Sequence, residues 1–116
     1  MATSTTRILI VEDDPLTALL MEAMVEDMGY WVIGPMRNLR DGLDHAKYDV
    51  LDFALLDFNL GAGTDSIPIA EALSARGIPF AFSTGTAPET VHAAFADAAI
   101  LRKPVQPSDL ERVLPI

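Results

Sequence analysis

Short apolar runs alternate with segments of helical periodicity along the whole chain. Apolar runs of this length, bounded by turn residues, are typical of strands buried on both faces of a sheet. They predict strands at 7–11, 30–34, 52–57, 78–83 and 99–103. The segments between and after them predict helices at 15–28, 38–48, 66–77, 86–95 and 108–114. This strict alternation predicts an α/β fold, with a doubly wound, five-stranded parallel sheet covered by helices on both faces.

Capping residues mark the ends of several predicted helices. Asp14 is the predicted N-cap of the first helix, with Pro15 in its first turn, and Gly29 is the predicted residue just beyond its end. The last two helices are predicted to begin with capping boxes. These boxes pair Thr86 with Glu89 and Ser108 with Glu111.

Hydrophobic residues within the elements indicate which faces are buried. In the first helix they recur at helical spacing, at Leu16, Leu19, Leu20, Ala23, Met24 and Met28. This stripe is the predicted buried face of the helix. The aromatic residues of the strands are predicted core residues, namely Trp31, Phe80 and Phe82.

Composition favours one domain over 1–116 and narrows the class of partner. Half of the 116 residues are hydrophobic, which is enough for one core, while the polar stretch 1–6 is a predicted flexible N-terminus. The net charge of −9 argues against direct binding to nucleic acid. The sequence contains no apolar stretch of membrane-spanning length, no signal-peptide pattern and no cysteine. A cytoplasmic protein without disulfides is the simplest interpretation.

Polar and charged residues stand where four of the predicted strands end. They are Glu12, Asp13 and Asp14; Asp57; Ser83, Thr84 and Gly85; and Lys103 with Pro104. Because the carboxyl ends of parallel strands meet at one edge, we expect these groups to converge. Carboxylates brought together repel one another, so either a cation lies between them or one of them has a raised pKa. Mg²⁺, which prefers oxygen ligands, and the ammonium of Lys103 are the predicted neutralising cations.

The chemistry available at this edge is narrow. A carboxylate such as Asp57, beside a divalent metal, a hydroxyl donor in Thr84 and a fixed cation in Lys103, is suited to in-line attack on a phosphoryl group. The product would be an aspartyl phosphate. His45 and His92 have no ligand partner at usable spacing, so they are predicted surface residues and a zinc site is not indicated. The glycines that follow Asp57 match no phosphate-binding loop motif.

Four stretches carry a resemblance to a known family: "RILIVEDDPL", "ALLDFNL", "FSTG" and "LRKP". In this order, at predicted strand ends, they resemble the receiver domain of two-component response regulators over essentially the full length of the chain. The resemblance implies a CheY-like (βα)5 fold with strand order 2-1-3-4-5. It also implies a phosphoacceptor signalling module. Such a module is not an enzyme, apart from catalysing its own phosphorylation and dephosphorylation.

The resemblance implies a magnesium site around the acceptor. Asp57 is the expected phosphoacceptor and a metal ligand. Asp13 is expected to bind Mg²⁺ directly, and Glu12 through water. Asn59 is expected to offer its backbone carbonyl to the metal.

The resemblance also implies how the phosphoryl group is held and which partners are used. Thr84 is expected to hydrogen-bond the phosphoryl group, and Lys103 to pair with it. The peptide bond between Lys103 and Pro104 is expected to be cis, which would aim the lysine inward. The expected donor is a sensor histidine kinase or a phosphotransfer protein, and the phosphorylated chain would either act on an unknown downstream protein or drain phosphate from the kinase. A homodimer through the face of the fourth helix, fifth strand and fifth helix is a further expectation. The chain ends at Ile116 after a short last helix, so either the natural protein stops there or an output domain follows.

A finer likeness concerns the fourth strand. "IPFAFSTGT" is similar to the Phe-Ala-Thr-Gly-Tyr-type motif of stand-alone receivers linked to HWE-type histidine kinases, the "FATGUY" receivers. This chain departs from that motif at Ser83 and Thr86. It also has Ile100 where many receivers carry an aromatic switch residue. The signalling segment 85–95 is therefore expected to respond by another route.

Two other functions fit parts of the sequence. A small phosphatase of the haloacid dehalogenase type also uses a strand-end Asp, but it requires a second Asp where this chain has Asn59. An interaction domain that keeps the receiver fold without being phosphorylated is the other alternative. The presence of Asp57, Thr84 and Lys103 argues against this alternative.

Overall fold

All five predicted strands and all five predicted helices are present in the computed structural model, which describes residues 5–115. The strands are β1 (Arg7–Val11), β2 (Trp31–Met36), β3 (Phe53–Asp57), β4 (Phe80–Thr84) and β5 (Ala99–Arg102). The helices are α1 (Pro15–Asp27), α2 (Leu39–Tyr48), α3 (Ile67–Ala75), α4 (Pro88–Ala94) and α5 (Pro107–Val113). Residues 1–4 of the predicted flexible N-terminus lie outside the described part of the chain. No helix among residues 5–115 is both long enough and apolar enough to cross a membrane.

The sheet has the order β2-β1-β3-β4-β5, and every neighbouring pair of strands is parallel. This confirms the doubly wound α/β fold and the strand order that the resemblance implied. The second strand continues past its predicted end at Gly34, through a cis bond to Pro35, as far as Met36. Its pairing with β1 shifts register between Leu9 and Val11. β2 lies at the edge of the sheet, where a proline is tolerated because one side of the strand needs no ladder hydrogen bonds.

Alternate side chains of the central strands divide the core between the two faces of the sheet. Leu9 and Leu56 belong to the cluster that includes residues of α2, α3 and α4. Ile8 and Leu55 belong to the cluster that includes residues of α1 and α5. All four are at most 2% exposed, and burying each such side chain contributes about 1.5–3 kcal/mol. The central strands are therefore held rigidly from both sides, which fixes the positions of the residues at their ends.

The predicted buried face of α1 is wrong. Three leucines of the predicted stripe are mostly exposed: Leu16 at 64%, Leu19 at 61% and Leu20 at 55%. The buried residues of the helix are Ala18, Met21 and Val25. Of the other predicted members, Met24 and Met28 pack partly against the core and Ala23 is exposed. Because α1 is apolar on several sides, two stripes of helical spacing compete in its sequence, and periodicity alone does not decide which one faces the sheet.

The prediction of a core position is also wrong for one of the three aromatic residues. Trp31 is 59% exposed, and it begins β2, which lies at the edge of the sheet. Phe82 is fully buried, as predicted. Phe80 is half-buried and meets Phe82 edge-to-face, with ring centroids 5.4 Å apart.

The helix ends confirm two predictions of capping and correct two. Gly29 follows Met28, the C-cap of α1, with a φ of +92°, as predicted. Asp14 is the N-cap of α1, and its carboxylate accepts from the backbone N–H of Thr17 at 2.8 Å. Both predicted capping boxes are wrong, because Pro88 and Pro107 set the first turns of α4 and α5 and shift the N-caps to the residues before them. The caps are Ala87 and Gln106, and the box partner of Gln106 is Asp109.

Candidate functional site

The parallel sheet brings the predicted acidic residues to one edge. Asp57 ends β3 opposite Ser83 in the register of β4, and Glu12 and Asp13 follow directly after β1. Each of the three acids has a carboxylate oxygen within 4.8 Å of those of the other two. The predicted convergence of these side chains is therefore present.

The cluster is buried and anchored through the backbone. Glu12 is 2% exposed and Asp57 5% exposed, while Asp13 is half-buried. The backbone N–H of Glu12 donates to the carbonyl of Met36 at the end of β2, at 2.9 Å. The N–H of Phe58 donates to the carbonyl of Ser83 at 3.0 Å, which closes β3 against β4. The acids are thus held by the strand ends themselves.

Lys103 lies between two of the acids, as its position after β5 predicted. Its Nζ is 3.0 Å from Oε1 of Glu12 and 3.3 Å from Oδ1 of Asp57. The Lys103–Pro104 peptide is cis, as expected. The second oxygen of Glu12 accepts from the backbone N–H of Asp14 at 3.1 Å, so both ends of that carboxylate are held.

One cation does not balance three acids. The pKa of Asp57 is raised to about 8, chiefly by burial and then by the neighbouring carboxylates of Glu12 and Asp13, an increase that the attraction of Lys103 offsets only in part. The pKa of Lys103 is also raised: burial opposes its charge, but its contacts with Glu12 and Asp57 outweigh that effect. Without another cation the cluster therefore holds a proton on Asp57 near neutral pH.

The residues present fit a small divalent cation. They offer carboxylate oxygens at mutual distances that one ion can bridge, and their excess negative charge is what a divalent ion would neutralise. Asn59, the other expected ligand, lies two residues after Asp57, is exposed and forms an isolated antiparallel bridge with Asp65. Its side-chain amide donates to Oγ1 of Thr86 at 3.2 Å, so the side chain itself has a different contact. The role of its backbone carbonyl stays a prediction.

The hydroxyl of Thr84 is buried and already has partners. Thr84 is 1% exposed, and its Oγ1 donates to Oγ1 of Thr86 at 2.8 Å. The same oxygen accepts from the backbone N–H of Thr86 at 2.9 Å. Thr86 was predicted only as a helix cap. A Thr two residues after another at a strand end is typical of a local hydroxyl turn, and that spacing was the missed signal.

Two other residues near the cluster were not predicted. The guanidinium of Arg37, just after β2, donates to the backbone carbonyl of Asp13 through two nitrogens, at 3.1 and 3.2 Å. Gly61 has a φ of +84°, and a Cβ added there would lie 3.2 Å from Oδ2 of Asp13. Because Gly61 has no side chain, it leaves room for the carboxylate of Asp13. Phosphate-binding loop motifs do not describe this role of a glycine.

The two histidines lie away from the cluster. His92 is exposed on α4, with its ring 3.0 Å from the carbonyl of Ala98, as predicted for a surface residue. His45 is half-buried on α2 and lies 2.9 Å from Oδ2 of Asp49. Asp49 also forms an ion pair with Arg7 at 2.9 Å. Arg7 is the first residue of β1, so this group lies at the opposite end of β1 from the acidic cluster.

The chain is similar in sequence and in fold to known proteins. The curated regulator PhyR of Methylorubrum extorquens, described as phyllosphere-induced, is 32% identical over 119 residues, and this chain spans 42% of its length. The solution structure of SdrG from Sphingomonas melonis is 37% identical, with a TM-score of 0.82 and coverage of 96% of this chain and 94% of that one. The BeF3-activated conformation of SdrG from Pseudomonas melonis is 38% identical, with a TM-score of 0.78 and coverage of 97% and 94%.

The family assignment rests on nearly the whole chain. The model of the response regulator receiver domain matches residues 8–114, from β1 to the end of α5. That span includes every strand end described above. The chain therefore belongs to the response regulator receiver domain family, whose members are signalling modules.

Proposed function

We propose that Asp57 is the phosphoacceptor of this receiver domain and that it is phosphorylated in a Mg²⁺-dependent reaction. The observation that carries the proposal is the raised pKa of Asp57, a buried acid with two other carboxylates and one ammonium around it. Such a group is stable as an anion only when a further cation arrives. That dependence is what a metal-gated nucleophile requires.

Each neighbouring residue has a distinct task in this reaction. Asp13, Glu12 through water, and the carbonyl of Asn59 would hold the metal with Asp57. Bound Mg²⁺ would neutralise charge on the acids and on the phosphoryl oxygens. A carboxylate oxygen of Asp57 forms the new bond to phosphorus while the bond to the donor's leaving group breaks.

The remaining charge of the transferred group is taken up by two side chains. Lys103, now 3.3 Å from Asp57, would pair with a phosphoryl oxygen, and the hydroxyl of Thr84 would donate to another. Both groups come from strand ends, so their backbones are already held in place when the group is transferred. Beyond its own phosphorylation and dephosphorylation, the module would have no catalytic turnover.

We further propose that the phosphoryl donor, a histidine kinase or phosphotransfer protein, docks on α1. Leu16, Leu19 and Leu20 expose apolar surface within two turns of the acidic cluster. Next to them a groove of about 510 Å³ is lined by Leu20, Met24 and Lys103, among others. Lys103 belongs both to this groove and to the acceptor site, so a helix seated here would present its phosphohistidine to Asp57.

The proposal includes the output and the setting of the module. The segment 85–95 would carry the signal to a downstream protein, through a monomer or through a homodimer on the α4-β5-α5 face. The likeness to SdrG, which has a BeF3-activated conformation, supports activation of this chain by phosphorylation. A stand-alone receiver working in the cytoplasm with an HWE-type kinase is the finer form of this proposal.

Beryllofluoride titration followed by ¹⁵N NMR tests the proposal. Beryllofluoride attaches to an acidic acceptor as a mimic of its phosphoryl group. With Mg²⁺, we expect saturable shifts of the amides of Asp57, Thr84 and Lys103. The shifts should vanish in Asp57→Asn and when Mg²⁺ is replaced by EDTA. Saturable shifts that persist in Asp57→Asn would assign the acceptor elsewhere, and no shifts together with no Mg²⁺ binding would favour an interaction domain that is not phosphorylated.

A further inference from the structure

The hydroxyl expected to contact the phosphoryl group is held by another threonine. Oγ1 of Thr84 donates to Oγ1 of Thr86 at 2.8 Å and accepts from the N–H of Thr86 at 2.9 Å. Oγ1 of Thr86 accepts a second hydrogen bond, from the amide of Asn59 at 3.2 Å. Three residues from two loops thus form one chain of hydrogen bonds beside the acceptor.

This arrangement and a contact with the phosphoryl group exclude each other. A threonine hydroxyl has one proton, so Thr84 cannot donate to Thr86 and to a phosphoryl oxygen at the same time. Formation of the phosphoryl contact must therefore end the donation from the Thr84 hydroxyl to Oγ1 of Thr86. Because Thr84 is 1% exposed, water does not readily replace either partner.

Thr86 is also where the acceptor site joins α4. It stands directly before Ala87, the N-cap of that helix, and Pro88 begins the first turn. On the other side, Ile100 packs against the apolar core and offers no polar group to Thr84. A change in the hydrogen bonding of the Thr84 hydroxyl therefore affects Thr86, at the start of α4, through a direct hydrogen bond.

We propose that Thr86 is a positioning residue that holds the hydroxyl of Thr84 in the unphosphorylated state and releases it to the phosphoryl group. The release removes a hydrogen-bond donor from Oγ1 of Thr86 and changes the hydrogen bonding at the entry to α4, in a chain with no aromatic ring at Ile100. The inference rests on the proposed function, since it assumes a phosphoryl group on Asp57. Thr86 does not touch that group and acts through Thr84.

Thr86→Val is the informative variant, and Thr86→Ser is its matched control. Valine keeps the shape of threonine and removes the hydroxyl, so the unphosphorylated state loses the bond that competes with the phosphoryl contact. We expect Thr86→Val to bind beryllofluoride about fivefold more tightly than the unchanged chain, the worth of one hydrogen bond. Thr86→Ser should bind as the unchanged chain does. Equal or weaker binding by Thr86→Val would overturn the proposal.

A second measurement needs no phosphoryl mimic. Three-bond couplings to the Thr84 methyl report its rotamer in the metal-free protein. We expect one rotamer in the unchanged chain and in Thr86→Ser, and averaging in Thr86→Val. One unaltered rotamer in all three would overturn the role of Thr86. Failure of the unchanged chain to bind beryllofluoride would instead contradict the proposed function, so the two failures are distinguishable.

Discussion

At the scale of single residues, Asp57 controls how the metal-free protein responds to pH. Its pKa of about 8 in the folded chain lies above the ordinary value of 3.8, chiefly because it is buried. The folded state therefore binds a proton that the unfolded state has released. The stabilisation that results is complete below about pH 4 and is lost as the pH rises to about 8.

Replacing Asp57 with Asn should remove this dependence. We expect the free energy of unfolding of the metal-free protein to fall between about pH 4 and 8, by up to about 1.4 kcal/mol per pH unit, and to vary far less in Asp57→Asn. The acids with lowered pKa, Asp14, Asp49 and Asp109, act in the opposite sense and only toward pH values below 4. Urea unfolding at several pH values in EDTA measures this. A parallel decline in both proteins would contradict the assignment.

Gly61 offers a second test at this scale. Alanine at a φ of +84° is strained and should cost about 1–2 kcal/mol of stability. Its Cβ would also press on Oδ2 of Asp13, so we expect Mg²⁺ affinity to fall about tenfold, as for other residues that orient metal ligands. Gly63→Ala is the control, since its φ is +75° and its Cβ would have no neighbour within 4 Å. Calorimetric titration should separate the two variants; equal Mg²⁺ affinity would show that Gly61 does not make room for Asp13.

At the scale of elements, α1 carries two apolar faces with different purposes. Ala18, Met21 and Val25 face the sheet, while Leu16 and Leu19 face solvent. Periodicity could establish that this segment is a helix but not which stripe is buried, because both stripes satisfy the helical repeat. The starts of α4 and α5 were predicted wrongly because a local pattern was again used alone. Capping-box spacing alone does not weigh the prolines that fix the first turns of α4 and α5.

The two faces of α1 should respond differently to substitution. Leu16→Ser and Leu19→Ser are expected to change the free energy of unfolding by no more than about 0.5 kcal/mol, whereas Met21→Ala, in the core, should cost about 2–5 kcal/mol. If α1 receives the phosphoryl donor, the two serine variants should slow transfer from a phosphohistidine protein about tenfold. Their rate with acetyl phosphate should be unchanged. A loss with both donors would mean that the acceptor site itself was damaged.

At the scale of the whole molecule, the parallel sheet explains why so much of the site was predictable. Apolar runs defined the strands, and parallel pairing then required Glu12, Asp57, Thr84 and Lys103 to meet at one edge. Hydrophobic periodicity did not predict the hydroxyl pair formed with Thr86, because periodicity does not encode loop geometry and only the spacing of the two threonines pointed to it. Strand ends follow from the fold, whereas side-chain partners in loops require the coordinates.

The central claim is that Asp57 accepts a phosphoryl group only with a divalent metal present. Intact mass after incubation with acetyl phosphate tests it most directly, on the unchanged chain with Mg²⁺, the unchanged chain with EDTA, and Asp57→Asn with Mg²⁺. We predict one added phosphoryl group in the first sample and none in the other two. An adduct that survives in Asp57→Asn or in EDTA would contradict the account.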